Sequence, residues 1–212
     1  KLRLWDKSDF TPRLEDVFQE RLYCIQWMRD NTEGKGVEYE FRVVTEEDLV
    51  REQIVIDFVG AHLSEWQENG YVPDMVIERG YNTDQPIRER GWTHWHHLFN
   101  PRQLLLASII NKLSNSYCKF GLSSVLNWNA RLSIWGNLDG GGGSVKNVFM
   151  NQALNTSSNF GTRTTSTIRG LIEVAYNYSE IIYPNYSIRC LPANEITEIN
   201  DIYITDPPYG DA

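Results

Sequence analysis

Apolar positions early in the chain recur as Leu14, Val17, Phe18, Leu22, Ile25 and Trp27, a spacing that fits one helical face. Thr11 stands where an N-cap belongs and Pro12 at the first helical position, so the pattern predicts a helix from about 12 to 29. NTEGKG then reads as a turn, and VEYEFRVV alternates with the period of two that a short strand requires. Thr45 to Asp48 resembles a capping box with Asp in place of Glu. It opens a predicted helix through Leu49, Ile54, Phe58, Ala61 and Trp66 that stops at Asn69-Gly70.

Regular spacing is lost between Tyr71 and His97, where Pro73, Gly80, Pro86 and Gly91 interrupt the chain; an ordered loop over 71–100 is expected. Asn100-Pro101 restarts a helix that the pattern carries to about Cys118, ahead of Gly121, and another is predicted around Ser124 to Trp135. LDGGGGS predicts a flexible loop over 139–144. Beyond it, VKNVFMNQALN and STIRGLIEVAYNYSEII read as helical, and SIRCLP and DIYITD as strands. The expected organisation is a mainly helical region over 1–185 followed by a strand-rich segment over 186–212. This is an α/β arrangement in which helices dominate and only the rim of a sheet is present.

With 212 residues, 41% apolar composition and seven tryptophans, the chain can build one good core or two small ones. No apolar run is long enough for a membrane span and no secretory leader is read, so a cytoplasmic setting without a membrane partner is expected. Cys24, Cys118 and Cys190 are far apart and odd in number, which supports neither a disulfide framework nor a paired zinc site. The net charge of −8 argues against a surface that is basic throughout, so any nucleic-acid contact is local.

The candidate chemistry lies in ITDPPYGD. A strand ending in Asp206-Pro207-Pro208-Tyr209 brings a carboxylate, a rigid carbonyl and an aromatic face to the carboxyl end of a sheet, where open α/β folds bind ligands. Methylating an exocyclic amino nitrogen is difficult because its lone pair is delocalised into the ring. Hydrogen bonds from that amine to Asp206 and to the Pro207 carbonyl would draw the nitrogen towards tetrahedral geometry. Two prolines fix φ and remove competing donors, and Tyr209 would stack on an extruded base. Tandem prolines can also simply end a strand. Average residue usage makes a chance Asp-Pro-Pro-Tyr in a chain of this length roughly a one-in-a-thousand event.

ITDPPYGD resembles the catalytic motif of amino-methyltransferases that modify adenine in DNA with S-adenosylmethionine. FTPRLEDVFQERLYCIQW, GYNTDQPIRERGWTHWHHLFNPRQLLL and NQALN are similar to the central part of a large family of prokaryotic adenine-specific DNA methylases. The resemblance implies a predominantly helical fragment attached to the edge of a Rossmann-like methyltransferase sheet, with Asp206, Pro207, Pro208 and Tyr209 as the catalytic residues. It also implies a longer parent chain as partner, since no strand-then-G-x-G element for S-adenosylmethionine is found among these residues, and the chain begins at Lys1. The fragment alone is expected to be inactive. Asp as the first motif residue favours adenine over cytosine or a glutamine side chain; those acceptors and RNA are the alternatives within the same chemistry. A helical interaction module, in which DPPY only ends a strand, is the alternative outside it.

Other residues carry weaker signals. Arg88, Arg90 and Arg102, with Arg79, form the best local basic group for a DNA backbone, although Glu78, Asp84 and Glu89 interleave with them and favour internal salt bridges. His94, His96 and His97 lie beside Trp92 and Trp95 without an obvious third ligand, so a packed, hydrogen-bonded cluster is expected in preference to a metal site. Gly140 to Gly143 lack the context of a phosphate loop. Asn151, Gln152 and Asn155 are placed on one predicted helix, where they could read base edges or be solvated, and Cys190 reads as a small buried residue.

Overall fold

A computed structural model describes residues 2–30, 37–81, 83–133, 135–136, 144–145, 148 and 192–197. The backbone divides into two compact units, Lys1–Val174 and Ala175–Ala212. The described part of the second unit is a 3₁₀ turn at Ala193–Glu195, closed by the Glu195 N–H on the Pro192 carbonyl at 2.9 Å.

The first unit departs from the predicted 12–29 helix. Residues 2–23 form an irregular segment, and Cys24–Asp30 is a strand, β1, paired antiparallel with β2, Val37–Val43, in the register Cys24 to Val43 through Asp30 to Val37. The helical spacing misled because charge, rather than hydrophobicity, faces inward here. Asp16 accepts from Nε and Nη2 of Arg3, each at 2.7 Å, and Glu20 reaches the buried Arg131, whereas Leu14 is 99% and Val17 67% exposed. The strand predicted at VEYEFRVV is β2.

Helix α1, Glu46–Glu68, begins with the capping box read from the sequence. The Asp48 N–H donates to Thr45 Oγ1 at 3.3 Å, and the Thr45 N–H to Asp48 Oδ2 at 3.0 Å. These bonds satisfy two donors that a helix start otherwise leaves open. At its far end Gly70 takes φ +70°, and the Tyr71 N–H turns back to the Trp66 carbonyl at 2.7 Å.

The expected loop 71–100 contains a short helix, α2, Asp84–Arg90, and a 3₁₀ turn at Trp95–Leu98. Pro86 is tolerated because it lies in the first turn of α2, where its missing N–H has no intrahelical acceptor. Gly91 ends α2 at φ +77°, and a Cβ there would stand 2.0 Å from the Arg3 carbonyl oxygen. The amino-terminal segment crosses at that point, with the Trp5 N–H on the Gly91 carbonyl at 2.7 Å. Only glycine satisfies both the left-handed backbone and this approach.

Helix α3, Pro101–Leu113, starts at the Asn100-Pro101 signal, with Asn100 and Gln103 capping each other at 2.8 and 2.9 Å. It ends before the expected Cys118. Ser114 caps it, and α4, Ser116–Trp128, follows with Gly121 inside it instead of stopping a helix before it. Ser114 and Asn115 are residues whose side chains compete for backbone groups, which favours a break there. Two-residue strands β3, Trp135–Gly136, and β4, Ser144–Val145, pair antiparallel. Gly140 to Gly143 lie outside the described residues, as do the helices expected over 145–155 and 166–182, apart from Val145, which is in β4, and Val148. The strands SIRCLP and DIYITD, from which the Rossmann-like sheet edge was inferred, also fall outside them, apart from Pro192.

Two apolar clusters share Phe99. Val59, Leu63 and Trp66 of α1 pack on Val72 and Leu104, with Phe10 alongside. Trp5, Trp92, Leu98 and Leu132 form the second. Burying one such aliphatic side chain stabilises by about 1.5–3 kcal/mol. The clusters therefore join the amino-terminal segment, the 92–99 region, α1 and α3 through the shared Phe99.

Candidate functional site

Asp206, Pro207, Pro208 and Tyr209 lie outside the described residues, as do Asn151, Gln152, Asn155 and Cys190. The remaining candidates are in the first unit.

The histidine segment is drawn into the core by the chain that crosses it. His96 and His97 are fully buried, with ring centroids 4.3 Å apart, and His94 lies 5.6 and 5.3 Å from them. His97 Nδ1 accepts the backbone N–H groups of Thr93 and His94 at 3.1 and 3.2 Å. Its Nε2 therefore carries the proton and donates to the Asp6 carbonyl at 3.0 Å. His96 Nε2 donates to the Asp9 carbonyl at 3.2 Å, and its buried Nδ1 has no hydrogen-bond partner among the described residues. Thr93 Oγ1 donates to the Trp5 carbonyl at 2.5 Å, which leaves it to accept from His94 Nδ1 at 2.8 Å.

The buried rings of His96 and His97 are held neutral at ordinary pH. Burial, reinforced by the neighbouring His96, pushes His97 down to about 3; burial, reinforced by His94, pushes His96 down to about 4. Burial also lowers His94, with Lys7 adding to the effect and Asp74 and Asp6 opposing it. The packed, hydrogen-bonded cluster expected from the sequence is what forms. Its hydrogen bonds tie residues 93–97 to the carbonyls of Trp5, Asp6 and Asp9. Among the described residues no three His, Cys, Asp or Glu side chains are grouped to hold a metal ion.

Arg131, which sequence reasoning missed, is the electrostatic centre of this region. It is buried, with Nη1 donating to the His97 carbonyl at 2.7 Å and to that of Phe99, and Nη2 donating to the Phe10 carbonyl at 2.9 Å. Glu20 accepts from Nε and Nη2 at 2.5 and 3.0 Å, and the guanidinium lies 5.5 and 5.6 Å from the rings of Trp5 and Trp92. A planar five-donor group is the side chain best suited to gather three carbonyls and a carboxylate at once. Nothing in NARLS marks that role, because it depends on partners 32 to 121 residues away.

A second set of charges holds the amino-terminal segment. Asp9 accepts from Arg3, from Arg13 and from the Asp6 N–H at 2.5, 2.9 and 2.7 Å. Burial works against its charged form, but Arg3 and these other donors outweigh it and hold the carboxyl below its ordinary range. The hydrogen bonds from Arg3 hold Asp16 down in the same way.

The basic candidates are engaged to different degrees. Arg102 pairs with Glu52 of α1, Arg79 with Asp84 at 3.4 Å and Arg88 with Glu89 at 3.4 Å. Arg90 lies 4.0 Å over the Phe18 ring, and burial lowers its guanidinium from the ordinary value. Salt bridges to the interleaved acids are thus present at Arg79 and Arg88, whereas Arg102 pairs with an acid outside that group, Glu52 of α1. The pairs of Arg79 and Arg88 are long and exposed, so each contributes little to stability. Arg79 also lines a surface groove of about 700 Å³ with Met75, Val76, Glu78, Thr83 and Trp95. No helix among the described residues is long and apolar enough to cross a membrane.

Comparison of the chain with family models, with curated proteins and with solved structures yields no match in any of the three.

Proposed function

We propose that this chain is part of an S-adenosylmethionine-dependent DNA methyltransferase that methylates the exocyclic amino group of adenine. The observation that carries the reading is Asp206-Pro207-Pro208-Tyr209 directly behind the β-prone run Ile202-Tyr203-Ile204-Thr205. S-adenosylmethionine, when bound, supplies an electrophilic methyl group on sulfonium sulfur.

The protein's task is to make a poor nucleophile attack in line. Asp206 and the Pro207 carbonyl each accept one N–H of the amine, which localises the nitrogen lone pair and directs it away from the ring plane. As the new N–C bond forms, the methyl–sulfur bond breaks with its electron pair left on the departing thioether, and positive charge develops on nitrogen beside the Asp206 carboxylate, whose attraction grows along the reaction coordinate until the surplus amine proton is lost. Pro207 and Pro208 keep both acceptors fixed without offering an N–H of their own. Tyr209 replaces the stacking that the base loses on leaving the duplex. The Asp at the first motif position supports adenine as the acceptor. The histidine and arginine core described above supports a structural role for residues 92–99 and 131, because His96, His97 and Arg131 direct their N–H groups to backbone carbonyls and to Glu20.

The test is transfer of labelled methyl from S-adenosylmethionine to unmethylated duplex DNA by the full-length protein, beside an Asp206→Ala variant. Label on DNA that falls at least a hundredfold in the variant is expected. Equal transfer by both proteins, or transfer only to RNA or protein, overturns the assignment.

A further inference from the structure

Helix α1 has two apolar sides. Val59, Leu63 and Trp66 form the buried one. On the other, Val50, Ile54 and Phe58 follow one another at intervals of four and are 58, 61 and 46% exposed. Residues so spaced form a continuous ridge, the unit by which one helix packs into the groove of another. The ridge is prolonged by His62, whose ring stacks on Phe58 at 4.2 Å and whose Nδ1 donates to the Phe58 carbonyl at 2.8 Å. A row of contiguous exposed apolar side chains, unlike isolated ones, marks an interaction surface.

The charge beside the ridge selects the partner. Over Glu46–Glu68 there are seven acidic residues and one basic, Arg51. Arg51 is taken by Glu47 and Asp48, and Glu52 by Arg102. Glu46, Asp57, Glu65 and Glu68 have no cationic partner among the described residues. Asp57 and Glu65 stand three residues on from Ile54 and His62, in the row next to the ridge. Such a margin repels phosphates and anionic lipid, and in a second copy it would meet its own charge.

We infer that the outer face of α1 docks an amphipathic helix of a partner protein, seated by apolar residues on Val50, Ile54 and Phe58 and flanked by Lys or Arg facing Asp57 and Glu65. This helix-on-helix mode uses anchors at i, i+3, i+4 and i+7 on the incoming segment. It is independent of the methyl-transfer reading.

The test uses two labelled 20-residue model peptides with leucine at those anchor positions, one with lysine flanks and one with glutamate flanks, and follows fluorescence anisotropy with the full chain. The lysine peptide is expected to bind at least tenfold more tightly than the glutamate peptide and to weaken as salt is raised. Val50→Gln with Ile54→Gln should reduce its binding at least tenfold while leaving the urea midpoint unchanged. Asp57→Lys with Glu65→Lys should reverse the peptide preference. Binding by neither peptide, equal binding by both, or insensitivity to the glutamine pair overturns the inference. Self-association lost in the glutamine pair would assign the face to a second copy instead, and a lowered urea midpoint in that pair would mean that this chain already covers it.

Discussion

Acid should destabilise this protein well above the range in which its carboxylates titrate, because His96 and His97 must be neutral to fit. Each has an ordinary value of 6.5 and is pushed down to about 4 and about 3 by burial. The sign follows from proton uptake. Well above pH 6.5 neither the folded nor the unfolded chain protonates these rings, and their contribution is fully present. Between pH 6.5 and about 4 the unfolded chain binds two protons that the folded chain refuses, so stability falls as pH falls. At pH 5 each ring favours the unfolded state by about 2 kcal/mol, or about 4 kcal/mol for both, with a slope approaching 2.7 kcal/mol per pH unit. Against a typical domain stability of about 5–15 kcal/mol that is a large fraction. Urea unfolding followed by tryptophan fluorescence from pH 8 to 5 measures it, and Trp5, at 5.2 Å from His97, reports on the same core. Staying at or above pH 5 keeps the depressed Asp9 and Asp16 ionised throughout. His97→Asn, which retains an acceptor near Nδ1, should remove about half of the slope. A wild-type stability that changes by less than about 1 kcal/mol over this interval, or a slope unchanged in the variant, would refute the reasoning.

Four further substitutions probe the scaffold. Gly91→Ala must place a Cβ against the Arg3 carbonyl at a positive φ, and should cost about 2–5 kcal/mol by urea unfolding at pH 7.5. Arg131→Met strands Glu20 and three carbonyls, and should cost about 3–5 kcal/mol; Glu20→Gln keeps the shape and should cost less than half of that, so equal effects would contradict the assignment of Arg131 as the hub. Asn100→Ala removes the cap of α3 and should lower stability by about 1 kcal/mol, read as a shift in urea midpoint with an unchanged slope.

The legible parts of this chain are those whose signals are local. The Thr45–Asp48 box, the Asn69-Gly70 stop and Asn100-Pro101 each depend on contacts within a few residues, and each stands where the sequence placed it. The 12–29 helix failed because Asp16 and Glu20 are held by Arg3 and Arg131, the latter 111 residues away from Glu20, and such pairing turns the apolar residues outward. Local spacing carries no record of a partner so distant. Residues 71–100 look irregular in sequence because Pro86 and Gly91 resemble interruptions, whereas they occupy the first turn and the end of α2. The histidine cluster was legible as packed but not as tied to the Asp6 and Asp9 carbonyls, and Arg131 was not legible at all. For the candidate catalytic site the position is reversed: Asp206 to Tyr209 are conspicuous in the sequence and lie outside the described residues, so the chemical reading rests on the motif.

The central claim is that Asp206 and the Pro207 carbonyl hold an adenine amino group during methyl transfer. Its most direct test is mass spectrometry of nucleosides from duplex DNA treated with S-adenosylmethionine and the full-length protein, wild type or Asp206→Ala. The account predicts N6-methyladenine from the wild type and at least a hundredfold less from the variant. Methylcytosine as the product, or N6-methyladenine at equal yield from both proteins, would contradict it.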